Sequence, residues 1–163
     1  MLRAIQSHLA SRQVSRVIYG SIIGLSLVVA LEDHPPSPGI VIGTLLGTAV
    51  AVGLAELYSD ALGIETTTRR HVQPPELRRV AFDVAAVAFG IAFPAVFFVL
   101  AAAGAIGEAT AFTIAKWSGV GLIGFYGFCA ARLAGESLSA SALRALGVAF
   151  IGAILILLKA LLH

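Results

Sequence analysis

The chain contains few charged residues and almost no cysteine. Of its 163 residues 12% are charged and 58% are hydrophobic, whereas about a quarter of the residues in a typical soluble domain are charged. A water-soluble protein of this length could not bury so much apolar surface, so the composition excludes an ordinary soluble domain and indicates a membrane protein. The single cysteine, Cys129, excludes an intrachain disulfide and a cysteine-rich zinc site.

Catalytic motifs are missing as well. The chain has no glycine-rich phosphate loop beside a strand, no nucleophile elbow and no metalloprotease helix motif. No nucleophile can be paired with a base, so we do not expect an enzyme. The formal net charge of +2 is too small to indicate nucleic-acid binding. The N-terminus is polar and basic and lacks the pattern of a signal peptide, so we expect no cleaved leader.

Five apolar stretches are long enough to cross the hydrocarbon core, which takes roughly 20 helical residues. Lipid admits only helices or closed barrels, and these stretches lack the alternating pattern of barrel strands. The sequence therefore predicts a single all-α membrane domain over residues 1–163, a polytopic bundle of five transmembrane helices. A cytoplasmic segment, 1–16, precedes spans at about 17–31, 39–62, 80–103, 110–131 and 145–162.

Arginine is distributed unevenly between the predicted loops. All nine arginines fall on one side of a five-span bundle. Because basic residues in short loops face the cytoplasm, we expect a cytoplasmic N-terminus and an external C-terminus in a cell membrane. Arginine outnumbers lysine, and alanine and glycine are abundant, which suggests a bacterial origin. In the N-terminal segment, the helical spacing of Leu2, Ile5 and Leu9 predicts either a helix on the inner membrane surface or a frayed tail.

Small residues recur at intervals of four, a spacing that lets helix backbones approach closely in lipid. Gly20 and Gly24 show it in span one, and Ala145, Ala149 and Ala153 show it in span five. We interpret these rows as contacts within one bundle, with a subunit interface as the alternative. We also expect spans one and two to pair closely, and a homodimer with Gly20 and Gly24 near its contact. Span two carries the longest row, here called the Gly39 ridge: Gly39, Gly43, Gly47, Ala51 and Ala55.

Three carboxylates lie near the predicted cytoplasmic ends of spans two and three. Glu56 and Asp60 are four residues apart and share a helix face, while Asp83 lies about one turn into span three. Acidic residues in spans usually face the bundle interior or a wet cavity, and carboxylate oxygens suit divalent cations or protons. The alternative is that these carboxylates are hydrated at the interface or paired with neighbouring arginines: Arg69, Arg78 or Arg79.

Prolines and the loop between spans two and three give local predictions. Pro74 and Pro75 before Glu76 indicate the start of a helix, and Pro94 predicts a kink in span three. The loop also holds Glu65 and His71, which with Glu76 either contact a cation or are simply solvated.

Four short motifs follow one another along the chain, and a basic residue precedes the first. They are GSIIGL (residues 20–25, after Arg16), AELYS (55–59), AFGIAFP (88–94) and ARLAGES (131–137). In this order they resemble the vacuolar iron transporter superfamily, which carries ferrous iron or manganese across membranes. The resemblance implies five spans with the N-terminus inside, a dimer to which the first span contributes, and Fe²⁺ or Mn²⁺ as the cation.

Other positions depart from the pattern of that family. Its first-span Asp and second-span Met, both on the metal pathway, would fall on Ile23 and Val52. Its long Glu-rich insert between spans two and three is reduced to the loop 65–79. Glu56 is the one carboxylate of the family's pathway that this chain retains.

Two hypotheses from different classes therefore stand. The first is a small transporter for a divalent cation or protons that uses Glu56, Asp60 and Asp83, which the retained Glu favours. The second is a non-transporting membrane protein on the same scaffold that binds another membrane protein, which the missing Asp and Met favour.

Overall fold

In a computed structural model of the chain, residues 2–162 form six α-helices and no β-strand. The structure describes the backbone of these residues and the side chains of residues 13–154, 156 and 157. The predicted all-α bundle is confirmed. The helices are α1 (Leu2–Leu31), α2 (Pro38–Thr68), α3 (Pro74–Ala92), α4 (Ala95–Ala102), α5 (Glu108–Leu133) and α6 (Leu138–Leu162).

Length and apolar composition identify the helices that are able to cross a membrane. Among the described residues, the Gln13–Leu31 part of α1, the whole of α2 and the whole of α5 qualify singly. Helices α3 and α4 qualify together as a fourth span, bent by 46° at their junction. The apolar segment described in α6, Leu138–Ile154, is shorter than a span. The structure thus supports three to four membrane-spanning helices, and the count of five stays a prediction.

Prolines determine where two helices begin and where one bends. Helix α2 starts at Pro38 and α3 at Pro74, since the fixed φ of proline suits the first turn and its missing N–H has no helical partner there. Gln73 and Glu76 form a capping box, in which the Gln73 backbone N–H donates to the Glu76 carboxylate at 3.0 Å. Pro94 lies at the bend between α3 and α4, where its ring prevents a regular helix. The predicted helix start and kink are both confirmed.

The backbone of residues 2–12 is a continuation of α1. The side chains of this segment, including Leu2, Ile5 and Leu9, lie outside the described set. Their contact with the membrane surface therefore stays a prediction.

Helices α1 and α3 cross with their backbones in contact, at a point where both carry glycine. A methyl group at Gly90 would lie 2.5 Å from the Ser21 backbone nitrogen, and one at Gly24 would lie 2.8 Å from the Ile91 carbonyl oxygen. Gly20 faces the backbone of α3 in the same way. These distances are too short for any side chain, so the crossing requires all three glycines.

The position of Gly20 and Gly24 corrects two expectations. Helix α1 packs mainly against α3 and α5 and only slightly against α2, so the close pairing of the first two spans is wrong. Both glycines are buried inside the chain, where α3 already covers them, so they do not lie at a homodimer contact. The homodimer itself stays a prediction.

Helix α2 packs through the face opposite the Gly39 ridge. Every member of the ridge is exposed, and a methyl group at any of its three glycines would meet no atom within 4 Å. A buried row lies two residues further along the chain from the ridge, about 200° around the helix. The intrachain interpretation of the ridge is therefore wrong, and a subunit contact stays a prediction. The buried row is Val41, Leu45, Ala49 and Gly53.

Helices α5 and α6 pack through small residues, as the sequence predicts for span five. A methyl group at Gly124 would lie 3.2 Å from the Ala149 Cβ and 3.6 Å from the Ala145 carbonyl oxygen. Two of the three alanines in the span-five row thus serve an intrachain contact.

The α1–α3 crossing makes a testable prediction about stability. We expect Gly90→Ala to lower the free energy of unfolding by about 1–3 kcal/mol, because the added methyl group forces two backbones apart. Gly121→Ala is the matched control, since no atom lies within 4 Å of the position where its methyl group would be. We expect the control to be neutral or to stabilise by up to about 1 kcal/mol. Unfolding by SDS in mixed micelles, followed by circular dichroism, measures both. Equal stability of the two variants would contradict the crossing.

Candidate functional site at the arginine-rich end

Charged residues concentrate at the end of the bundle where α2 finishes and α3 begins. We call this end, which holds Arg16 and the segment 69–79, the arginine-rich end. Glu56 and Asp60 lie in the second half of α2, on the flank of its buried row, which ends at Gly53. This position turns both carboxylates toward neighbouring helices and leaves each of them only partly exposed.

Arg16 of α1 binds both carboxylates of α2. Its Nη1 donates a hydrogen bond to Glu56 Oε2, and its Nη2 donates to Asp60 Oδ2 at 3.0 Å. The three side chains are 22%, 18% and 32% exposed for Arg16, Glu56 and Asp60 respectively, so water screens the ion pairs only in part. The rigid fork of the guanidinium suits this double contact, in which one positive charge balances one of two negative charges.

The sequence indicated the wrong partners for these two carboxylates. Arg69, Arg78 and Arg79 are nearer in the chain, yet Arg16, forty residues before Glu56, makes the contact. The arginine bias predicted that Arg16 and Glu56 lie at the same end of the bundle, as their contact requires. What it could not give is the lateral arrangement of helices that brings α1 within reach of α2.

A cavity of about 460 Å³ lies between the end of α2 and the start of α3. From α2, Asp60, Ser59, Thr67 and Thr68 line it, and the hydroxyls of the two threonines donate to backbone carbonyls of the same helix at 2.8 and 2.7 Å. These groups offer oxygen atoms to a ligand, and Asp60 connects the cavity with the Arg16 ion pairs.

Asp83 also lines this cavity and is 5% exposed. It belongs to the buried row of α3, between Val80 and Val87, where an apolar residue is the ordinary occupant. Glu76 and Arg79 complete the charged lining. The lining thus holds three carboxylates and one guanidinium, and two of the carboxylates, Asp60 and Glu76, bind arginines outside the lining, Arg16 and Arg70.

Ion pairs close the loop that separates α2 from α3. Arg70 donates to both carboxylate oxygens of Glu76, at 2.7 and 2.9 Å, and these hydrogen bonds raise the pKa of the Arg70 guanidinium above its ordinary value. Glu65 lies 3.2 Å from His71 Nδ1. The loop carboxylates therefore already have protein partners, which favours the interpretation of Glu65, His71 and Glu76 as structural.

The three predicted metal ligands reach the same end of the bundle but do not form one cluster. Within the described side chains, no three His, Cys, Asp or Glu residues come together as a metal-binding group. Glu56 and Asp60 share Arg16, while Asp60 and Asp83 share the cavity. Their role as ligands of a divalent cation stays a prediction, and the cavity places Asp60 and Asp83 first.

A second ion pair lies at the opposite end of the bundle. Lys116 Nζ on α5 donates to both oxygens of Glu32, at 2.6 and 2.8 Å, just beyond the end of α1. Helix α1 is thus joined by charged groups to α2 near one end and to α5 near the other.

Comparison of the chain with models of known families, with curated proteins and with solved structures finds no match in any of the three.

The partial burial of the Arg16 network predicts a measurable coupling energy. In a double-mutant cycle of Arg16→Gln and Glu56→Gln, we expect a coupling of about 1–3 kcal/mol, because removing one partner leaves the other charge partly buried. The matched control is the Arg144–Glu136 pair, with a 2.5 Å contact and side chains 53% and 31% exposed. There we expect about 0.2–1 kcal/mol. SDS unfolding of the variants measures both, and a smaller coupling for Arg16 than for Arg144 would contradict the network.

Proposed function

We propose that the protein transports a small cation across a membrane and that the cavity between α2 and α3 is the vestibule where the cation enters or leaves. The observation that carries the proposal is Asp83, a carboxylate buried in the α3 row and lining the cavity. An ionisable residue at such a position is expensive in lipid and usually marks an ion or proton pathway.

The chemistry of the cavity supports a cation as the ligand. Asp60 and Asp83 supply carboxylate oxygens, and the hydroxyls of α2 supply neutral ones. Hard divalent cations prefer oxygen ligands of this kind. The resemblance to vacuolar iron transporters suggests Fe²⁺ or Mn²⁺ as the cargo, and protons are the other candidate because acidic residues inside membrane helices often form proton relays.

The bend at Pro94 supports a route onward from the cavity. Helix α3 begins beside the cavity and ends at the junction with α4. Transporters commonly build their ion sites around interrupted membrane helices, whose freed backbone carbonyls become available to cations. We place the cation path along α3 between Asp83 and this junction.

We further propose five spans in a cell membrane, with the arginine-rich end in the cytoplasm and the C-terminus outside. The distribution of arginine supports this orientation. The proposal includes α6 as the fifth span and a bacterial origin. It also includes a homodimer, although not through Gly20 and Gly24.

The second candidate is a membrane scaffold that does not transport and instead binds another membrane protein. Arg16 favours it, because it already satisfies Glu56, the one carboxylate retained from the transporter family's pathway. The two functions differ in what Asp83 does: in the scaffold it is a structural residue, and in the transporter it binds the cargo.

The proposed orientation predicts the outcome of reporter fusions. A reporter joined after His163 is expected to lie outside, and one inserted in the loop 69–73 is expected to lie inside. A pair of reporters, one active only in the cytoplasm and one only outside it, makes the measurement. Finding both positions on the same side would contradict an odd number of spans between the loop and the C-terminus.

Uptake into proteoliposomes tests transport directly. We expect wild-type protein to take up Mn²⁺ faster than empty vesicles, and Asp83→Asn to lower the rate by about tenfold or more, since the amide keeps the shape but loses the charge. Asp60→Asn is expected to lower it less, because Asp60 is more exposed than Asp83.

The matched control for uptake is Glu108→Gln, which removes one exposed carboxylate at the start of α5, away from the cavity. We expect it to retain the wild-type rate. If the wild type moves Mn²⁺, Fe²⁺ and protons no faster than empty vesicles, transport is wrong and the scaffold is the better account.

A further inference from the structure

We infer that Arg16 is an internal counter-cation that competes with a divalent cation for Glu56 and Asp60. In this role it limits how tightly the arginine-rich end holds its cargo. The inference rests on the proposed function, and it assigns a specificity-determining role to a residue of α1 that lies outside the lining of the cavity.

The contact geometry is that of a bridging cation. One guanidinium reaches a carboxylate oxygen of Glu56 with one nitrogen and a carboxylate oxygen of Asp60 with another. Two carboxylates one helical turn apart are also a suitable pair for a divalent cation. Arg16 therefore occupies the place that such a cation would take.

Asp60 links the two environments. It accepts a hydrogen bond from Arg16, and it also lines the cavity that Asp83 faces. A cation that enters the cavity meets Asp60 before it can reach Glu56. It can gain the second carboxylate only if the guanidinium moves aside.

Arginine cannot make room by becoming neutral, because the guanidinium group is always charged in proteins. The positive charge must therefore swing away from the carboxylates. While Arg16 stays within a few ångströms, it repels a divalent cation, and the partial burial of the three side chains leaves this repulsion only partly screened. As a consequence, Glu56 and Asp60 bind the cation weakly enough to release it.

Binding of Mn²⁺ to the purified full-length protein in lipid nanodiscs tests the role of Arg16, with free Mn²⁺ measured by electron paramagnetic resonance. We expect Arg16→Gln to bind Mn²⁺ about tenfold tighter than wild type, because two carboxylates then lack their counter-charge. Adding Glu56→Gln and Asp60→Asn to this variant is expected to abolish the gain. A purely structural arginine would produce no gain in affinity.

Arg144→Gln is the matched control, since it removes the same charge from another ion pair, with Glu136. It is expected to leave Mn²⁺ binding within about twofold of wild type. Arg16→Lys covers the case in which Arg16→Gln does not fold. Lysine keeps the charge but loses the fork that holds both carboxylates, so we expect an intermediate gain in affinity.

The results distinguish a failure of the role of Arg16 from a failure of the proposed transport. If the wild type takes up Mn²⁺ but a folded Arg16→Gln or Arg16→Lys binds it no tighter, the role of Arg16 is overturned and transport stands. An equal gain in Arg144→Gln would also overturn it, because the effect would then be general electrostatics. If neither the wild type nor any variant binds or takes up Mn²⁺, both the role of Arg16 and the proposed divalent-cation transport fail.

Discussion

The contact between α1 and α3 is the constraint on which the rest of the bundle depends. Gly20, Gly24 and Gly90 let the two backbones touch, and no side chain separates them. Lipid offers no hydrophobic driving force between helices, so close packing of this kind is the principal source of association. Because α2 also packs on α3, the crossing brings the arginine-rich end of α1 beside the carboxylates of α2.

Charge pairing follows from this arrangement at both ends of α1. Arg16 binds Glu56 and Asp60 near one end, and Glu32 binds Lys116 at the other. An unpaired ion buried between the helices would cost on the order of several kcal/mol of desolvation free energy. The pairs remove that cost and also fix how α1 lies along its neighbours. The same pairing means that a cation entering the arginine-rich end competes with a charge that the protein already supplies.

Transport and scaffolding depend on different parts of this end. The cavity and Asp83 favour transport, because an ionisable residue on a buried row of a membrane helix usually marks an ion or proton pathway. The Arg16 network favours stability, since it satisfies Glu56 without any ligand. A transporter with an internal counter-cation accounts for both observations. The Arg16 network then stabilises the protein without bound cation and also lowers its affinity for the cation.

The sequence by itself determined the class of the protein, because hydropathy, proline and capping act over one helix turn or one helix length. The apolar runs predicted a helical bundle, and the prolines predicted the start of α3 at Pro74 and the bend at Pro94. The sequence also predicted that three acidic residues lie at one end of the bundle. Only the tertiary structure decided which helix faces are buried. The Gly39 ridge and the buried row beginning at Val41 both repeat every four residues, and spacing alone does not show which of them meets another helix. The partner of Glu56 was likewise hidden, because an ion pair across forty residues depends on lateral helix order, which local sequence does not encode.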